Sequence, residues 1–455
     1  MAITTHPAVQ DAAWAFADRG PGVAVTAFLH SLRTRPRLLG LGEPMHGEVA
    51  FPRLRNQLFR HLVEHEGYRS IALESDAVAG LLVDGFVTEG VGSLDEVMQR
   101  GFSHGFGDTA ANRQLVQWMR EYNRDRPAAD RLRFFGFDAP LEMTSAASPR
   151  GTLTALHRYL AAHLDADLIP HAAGAIDRLI GDDQRWTNPQ AVMDPSQSVG
   201  SSPDVAQLRL IADDLLTLLM SQSPHLLATT SHDEWWQAQL YGRTAAGLLR
   251  YHVGTANASA TRVARLLGLR DTMMADNLKA IVEHQAQRGP TLAFAHNLHL
   301  QKHPSRWHLA GQDLEWWSAG AIVGAHLSHQ YVFLATDLGA APHQGLNPPR
   351  ADTLEGILST LPQERYVIDG RRLVAALGSM STALALRTDT STNHGYFALD
   401  PGHLEETDGL IFIKHLAPGA AETPPAGPST PPSAPLAVSR TGRSPWRPRP
   451  SVRPS

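Results

Sequence analysis

The chain has 455 residues, 43% hydrophobic and 19% charged, a globular balance with enough length for one large domain with insertions or two ordinary ones. Its formal charge of -5 offers no basic field to nucleic acid or an anionic membrane, and the lack of cysteine removes disulfides, thiolate metal sites and cysteine nucleophiles together. The opening MAITTHPAVQDAAWAF lacks the basic end and apolar run of a signal peptide, and no window approaches the roughly 18 apolar residues of a membrane span, so a soluble, cytoplasmic protein is expected.

In chain order, RLLGLG (37–42) is a short apolar run suited to a strand buried on both faces. Phe51, Leu54, Leu58 and Leu62 follow at spacings of three and four, flanked by Phe59 and Val63, which predicts an amphipathic helix stopped near Gly67. SIALE (70–74) reads as a second strand, so the unit is β-α-β and its strands are expected to be parallel neighbours. A helix through ANRQLVQWMREYNRD then leads to a third strand, LRFFGFD (132–138).

Residues of about 145–285 are mostly helical in pattern, through GTLTALHRYLAAHL, DVAQLRLIADDLLTLLM and HDEWWQAQLYGRTAAGLLRYHV. The polar, turn-rich stretch 187–204 between them is expected to be mobile or a lid. Strand patterns return in GPTLAFAHNLHL (289–300), QYVFLAT (330–336), STALALRT (381–388) and GLIFIKHL (409–416). The expected fold is therefore α/β, a mostly parallel central sheet flanked by helices, with a helical insertion forming a lid or pocket wall, over residues 1–416. Residues 417–455 hold eleven prolines and five arginines, and they are expected to form a disordered tail.

Chemistry gathers where these strands end. Glu43 follows the first, Glu74 ends the second, Asp138 the third, and His296 the strand TLAFA. In parallel α/β sheets the C-terminal ends of the strands form one rim, and ligands bind there. Each of these residues alone has an ordinary explanation in a turn or helix cap; Glu43, His46, Glu74 and His296 together point to a site. In GEPMHG, Gly42 and Gly47 permit tight turns that bring the acid and imidazole of an E-x-x-H pair together. A water beside His46 would lose a proton to it, with a carboxylate on the other ring nitrogen fixing the tautomer, while His296 would stabilise developing charge. AHNLH (295–299) adds Asn297 and His299 as candidate contacts to substrate, and Arg55 and His104 are placed there too. Trp235, Trp236, Trp316 and Trp317 are read as core residues before pocket walls.

Imidazoles and carboxylates also suit Zn²⁺ or Mn²⁺, yet no H-E-x-x-H or comparably tight signature occurs, and no metal or other cofactor is expected. The chain has no G-x-S-x-G for a serine hydrolase, and neither G-x-G-x-x-G nor a P-loop for nucleotides.

LLGLGEPMHGEVAFPRLRNQLFRHLVEHEGYRSIALESD resembles the opening block of the erythromycin esterase family, and the likeness continues in LVQWMREYNRDRPAADRLRFFGFD, LRDTMMADNL, TLAFAHNLHLQK, AGAIVGAHLSHQYVFLATDLG and TDGLIFIKHLAP. The resemblance implies a hydrolase, metal-independent or only weakly linked to metal, that opens macrolide lactones with water. By motif it makes His46 the general base, with Glu43 and Glu74 as the acids around it and His296 and His299 as the later pair. Arg55 falls at the basic helix position, and Arg270, a further candidate contact to substrate, lies with Asp271 and Asn277 in a block that supports the site or shapes its wall. Pro44 and Met45 depart from the polar or small residues common at those positions, a change expected to alter the pocket surface.

Three functions remain open at this level. The first is a hydrolase in which His46 activates water against an ester or lactone carbonyl of a bulky small molecule. The second is a natural-product biosynthetic enzyme using the same groups for cyclisation, elimination or rearrangement without net hydrolysis. The third is a binding protein that sequesters such a ligand.

Overall fold

Six consecutive buried residues, Leu38–Glu43, form the strand on which the fold turns. The computed structural model describes residues 7–17, 20–142, 145–309, 311–388 and 395–417, so nearly all of the expected tail lies outside the described residues. Eight strands make the main sheet, numbered here in chain order: β1 (Ala13–Ala15), β2 (Leu38–Glu43), β3 (Ser70–Asp76), β4 (Arg133–Asp138), β5 (Thr291–His296), β6 (Tyr331–Ala340), β7 (Arg365–Asp369) and β8 (Gly409–His415). Their order across the sheet is β1-β7-β8-β6-β2-β5-β3-β4. All neighbouring pairs from β8 to β4 are parallel, and β7 alone runs against both of its neighbours.

Alternation across the pleat divides the core into two layers. Leu39 and Leu41 of β2 and Leu292 and Phe294 of β5 pack with Phe51, Leu58 and Leu62 of helix α1 (Ala50–His65) and with Val83 of α2 (Gly80–Glu89) and Leu115 of α3 (Ala110–Asn123). On the opposite face Leu38, Ala293 and Ala295 meet Met274, Leu278 and Ile281. Burying a leucine or phenylalanine in this way contributes about 1.5–3 kcal/mol. The helical insertion has a core of its own, where Leu153, Leu156 and Leu160 of α4 (Arg150–His163) pack with Leu208 and Leu215 of α5 (Pro203–Ser221) and Leu249 of α6 (His232–Thr255). Helix α7 (Arg262–His284) returns from it to cover the sheet. The short α8 (Asn297–Leu300) follows β5 directly.

Three expectations change. First, β2 and β3 are joined by the predicted helix but are not neighbours, because β5, almost 250 residues later than β2, fills the slot between them and pairs in parallel with both. Second, residues 381–388 are no strand: a 3₁₀ helix, Gly378–Ala383, takes in the first three of them, and Ala385 makes only an isolated bridge to Thr353. Arg387 pins the segment instead, donating to the carbonyls of Leu338 and Asn347. The strands of the main sheet that the pattern missed are β1, three residues long, and β7, RYVID, five residues long. Third, residues 187–204 are a chain of short turns tied to one end of the helix pair behind them, where α6 stops and α7 begins. Arg262 Nη1 donates to the Val192 carbonyl at 2.7 Å, and Ser198 Oγ to the His252 carbonyl at 3.2 Å.

Gly42 shows how tightly the end of β2 is packed. A Cβ there would collide with Asn297 Oδ1. Asn297 cannot retreat, because its amide nitrogen donates to the Thr336 carbonyl at 2.8 Å, bracing β6 against α8. Gly42→Ala is therefore expected to destabilise the protein by about 1–3 kcal/mol, the usual scale of overpacking. Urea unfolding measures this, and an unchanged midpoint would show that the brace gives way freely.

Candidate active site

The register of β2 with β5 sets Glu43 opposite His296, and Leu73 of β3 lies opposite Phe294, so Glu74 follows on the same rim. The turn after β2 folds His46 back, and its Nδ1 lies 2.7 Å from Glu43 Oε1. With Glu43 ionised, Nδ1–H is the donor and the lone pair is on Nε2, which lies 3.8 Å from Glu74 Oε1. His46 is the open member of this group, with its side chain 44% exposed against 3% for Glu74.

Glu74 is the centre of an alternating chain of charge. Its Oε1 accepts from Arg270 Nη2 at 2.9 Å and lies 3.3 Å from His299 Nε2, while Oε2 accepts the His296 backbone N–H at 2.8 Å. His299 Nδ1 meets Asp271 Oδ1 at 2.5 Å, and Asp271 Oδ2 accepts the Trp316 indole N–H at 2.6 Å. On the other side Arg270 also grips Asp138, at 2.6 Å for Nη2 to Oδ2, and Asp138 Oδ2 is 2.9 Å from His104 Nε2. Glu142 closes the chain on His104 Nδ1, at 2.9 Å.

These neighbours decide the protonation states. Burial works against the Glu74 charge, but His299, His46 and Arg270 outweigh it and hold the carboxyl well below its ordinary range. Burial likewise opposes the His299 charge, and Asp271 with Glu74 overcomes it, raising that imidazole to about 10. His46 is raised too, since Glu74 and Glu43 together exceed the effect of burial. Burial pushes Glu43 up against the pull of the His46 hydrogen bond. Burial and the nearby His46 push His296 down to about 3.

The sequence-predicted residues thus meet, but several serve differently from expectation. His296 is neutral with both nitrogens engaged by backbone: Nδ1 accepts from the Leu298 N–H at 3.1 Å and Nε2–H donates to the Pro44 carbonyl at 3.1 Å. Asn297, expected to contact substrate, is 2% exposed and committed to Thr336. Arg55 is buried rather than presented to a ligand. Its Nε and Nη2 both donate to Asn56 Oδ1, and its guanidinium lies 5.0 Å from the Phe294 ring centre. Burial pushes it down to about 9, with Glu43 opposing. His299, Arg270 and His104 spend their donors on carboxylates, so they hold the acids in place. Met45 is a core residue, 2% exposed, so the departure from the family pattern there does not touch the pocket.

Sequence reasoning missed the aromatic surround. The Phe106 ring centre is 5.8 Å from that of His46, and Phe397 lies 5.3 Å from His296. Neither sits at a strand end or in a periodic pattern. Asp138 and Asp271 carried a signal, one as a strand end and the other beside Arg270. Trp316 sits on the hairpin of Pro304–Leu309 and Gln312–Trp317, and nothing in its spacing ties it to Asp271. Among the described residues no three His, Asp or Glu side chains come together in a metal-holding arrangement.

The sequence profile of the erythromycin esterase family matches residues 63–416. The chain belongs to the erythromycin esterase family. Erythromycin esterase type I of Escherichia coli is 23% identical over 374 residues, covering 77% of this chain and 82% of the relative. A Bacillus cereus protein of known crystal structure shares the fold at TM-score 0.68 and 18% identity, over 91% of this chain and 98% of that one. An erythromycin esterase mutant in its open conformation does so at TM-score 0.56 and 17% identity, over 84% and 90%. Family membership places the chain among esterase-like hydrolases acting on small molecules. No helix among the described residues is long and apolar enough to cross a membrane.

The raised His299 links stability to pH. Its folded-state value, about 10, exceeds the ordinary 6.5, so its contribution is complete below 6.5 and is lost as pH rises through 10. His299→Gln is expected to remove that part of the decline, so the difference in unfolding midpoint between wild type and variant should shrink from pH 6 to pH 10. A constant difference would show that His299 carries no extra proton when folded.

Proposed function

We propose that this chain hydrolyses an ester or lactone of a bulky small molecule by His46-activated attack of water. The relatives' names point to a macrolide lactone as the substrate class. The observation that carries the reading is the Glu43–His46 pair, closed at 2.7 Å on Nδ1 and open on Nε2, which faces Glu74.

Water held between His46 Nε2 and Glu74 gives its proton to the imidazole as its oxygen attacks the carbonyl carbon. Glu43 keeps the correct tautomer and stabilises the imidazolium that forms. Collapse of the tetrahedral intermediate expels the alkoxide, and His46 returns the proton to it, so acid and alcohol leave with the base restored. Glu74 is kept ionised by His299 and Arg270, and it therefore supports an imidazolium at His46 rather than competing for its proton. Phe106 and Phe397 flank the imidazoles and offer apolar contact to a large substrate. Side chains supply every proton transfer in this scheme, so it calls for no cofactor.

His46→Ala should keep the fold and lower kcat by about 10²–10⁴-fold, the range of general-base assistance. Turnover of a lactone panel followed by mass spectrometry in ¹⁸O-water tests both parts: the product acid must carry the label, and unchanged turnover in the variant would remove the mechanism. The pH profile gives a second measure. His46 must be neutral to act, so kcat/KM rises with pH through a value above the ordinary 6.5. Glu43→Gln removes one of the acids that raise it, so the acidic limb should move to lower pH while activity falls.

A further inference from the structure

Arg133 begins β4 and Asp138 ends it, so the edge strand of the sheet runs from the active site to the opposite end of the molecule. There a cavity of about 980 Å³ opens between α2, the N-terminal half of α6 and the C-terminal end of α7. Helix α7 spans the distance: Asp271 is in the catalytic cluster and His284 lines this cavity, thirteen residues or roughly 20 Å along the helix axis. The size is that of a small-molecule site.

Its walls are rich in donors without acceptors. Ten buried side-chain nitrogen and oxygen atoms among the described residues lack a hydrogen-bond partner, and five belong to this wall: Trp235 Nε1, Trp236 Nε1, Arg243 Nη2, His284 Nε2 and Arg288 Nε. Trp236 is 6% exposed, and a buried donor left unmet carries its full desolvation cost. The other cations of the cavity are spent. Arg133 is paired with Asp84 and Asp233, at 2.8 and 3.0 Å, Arg131 with Glu89 at 2.5 Å, and His284 lies 3.1 Å from Asp233. Arg243 and Arg288 have no carboxylate within ion-pair distance among the described residues. Arg243 Nε donates to Asn277 Oδ1, and Arg288 donates to the carbonyls of Ala128 and Arg131. Burial lowers both guanidinium groups, Arg243 to about 10 against the pull of Asp276, and Arg288 with nearby Arg133 adding to the effect against Asp233, Asp84 and Asp130. An aromatic platform lies beside them, with the Arg243 guanidinium 5.4 Å from the Trp236 ring centre and the His284 ring stacked on Trp236 at 4.9 Å.

We infer that this cavity is a second binding site, separate from the catalytic cluster, for a small molecule with a flat apolar body and one anionic head group. The head pairs with Arg243 or Arg288, the guanidinium groups of the wall that no carboxylate occupies, through charge-assisted hydrogen bonds. The body packs on the apolar side chains of the wall, Leu81, Met220 and Leu227. Two unpaired cations beside unmet donors select an anion; a neutral or cationic ligand would leave them as they are.

The probe is 1-anilinonaphthalene-8-sulfonate, an aromatic anion, and its neutral counterpart is N-phenyl-1-naphthylamine, both followed by fluorescence titration of the full chain. Saturable sulfonate binding is expected, weakened roughly tenfold or more in Arg243→Met, the scale of losing a hydrogen bond to a charged group. The neutral probe should be affected much less. Arg288→Met, past the end of α7, is the second variant and carries the test if circular dichroism shows Arg243→Met misfolded. Absence of saturable binding in the wild type, or binding indifferent to the substitutions, overturns the site. An equal loss of both probes overturns the anionic class.

Discussion

A carboxylate almost wholly removed from water governs this molecule. Glu74 stays ionised at the end of β3 because Arg270, His299 and the His296 backbone N–H surround it, and each is fixed by something else: Arg270 by Asp138, His299 by Asp271, and Asp271 by the Trp316 indole. Breaking a buried ion pair strands the charge that remains, at a cost of about 3–5 kcal/mol, so the members stand or fall together. Such a network is a poor source of net stability and a good source of order. It leaves His46, at its open end, as the group with room to exchange a proton.

The sheet supplies the frame for this arrangement. With β5 inserted between β2 and β3, three parallel strands deliver Glu43, His296 and Glu74 to adjacent places on one rim, and the helix after β5 starts at once because His296 caps it. The chain works outward from β2 in both directions, to β3 and β4 on one side and to β6 and β8 on the other. The crevice at such a reversal is where open α/β sheets take their ligands. The helical insertion, with its separate core, reaches this crevice through α7, which brings Arg270 and Asp271.

Much of this was readable beforehand, for definite reasons. Strands buried on both faces leave continuous apolar runs, so LLGLGE, SIALESD, RFFGFD and TLAFAH stand out, and the first polar residue after each marks the rim. That is why Glu43, Glu74 and His296 were legible as a group, and why the resemblance to the erythromycin esterases could be recognised in blocks. Strand order was not legible, because a local pattern carries no information about which distant segment fills a gap. STALALRT imitates a strand by alternation alone, whereas the real strand RYVID is too short to declare itself. Side-chain roles were harder still. Whether such a side chain faces a ligand or the protein depends on its partners in space: Asn297 went to Thr336, 39 residues on, His296 to Pro44, 252 residues back, and Arg55 to its own neighbour Asn56.

The Pro44 carbonyl has one further consequence. It accepts the His296 Nε2–H and also the backbone N–H of Phe397, at 3.0 Å, so a residue near the end of the fold shares an acceptor with the imidazole that ends β5. Tyr396 beside it is anchored by its hydroxyl, which donates to Asp337 Oδ1 at 2.7 Å. During synthesis on the ribosome, the strands that carry Glu43, Glu74 and His296 emerge well before this clasp exists. The Pro44 carbonyl therefore gains its second donor late, about 100 residues after β5 in the order of synthesis.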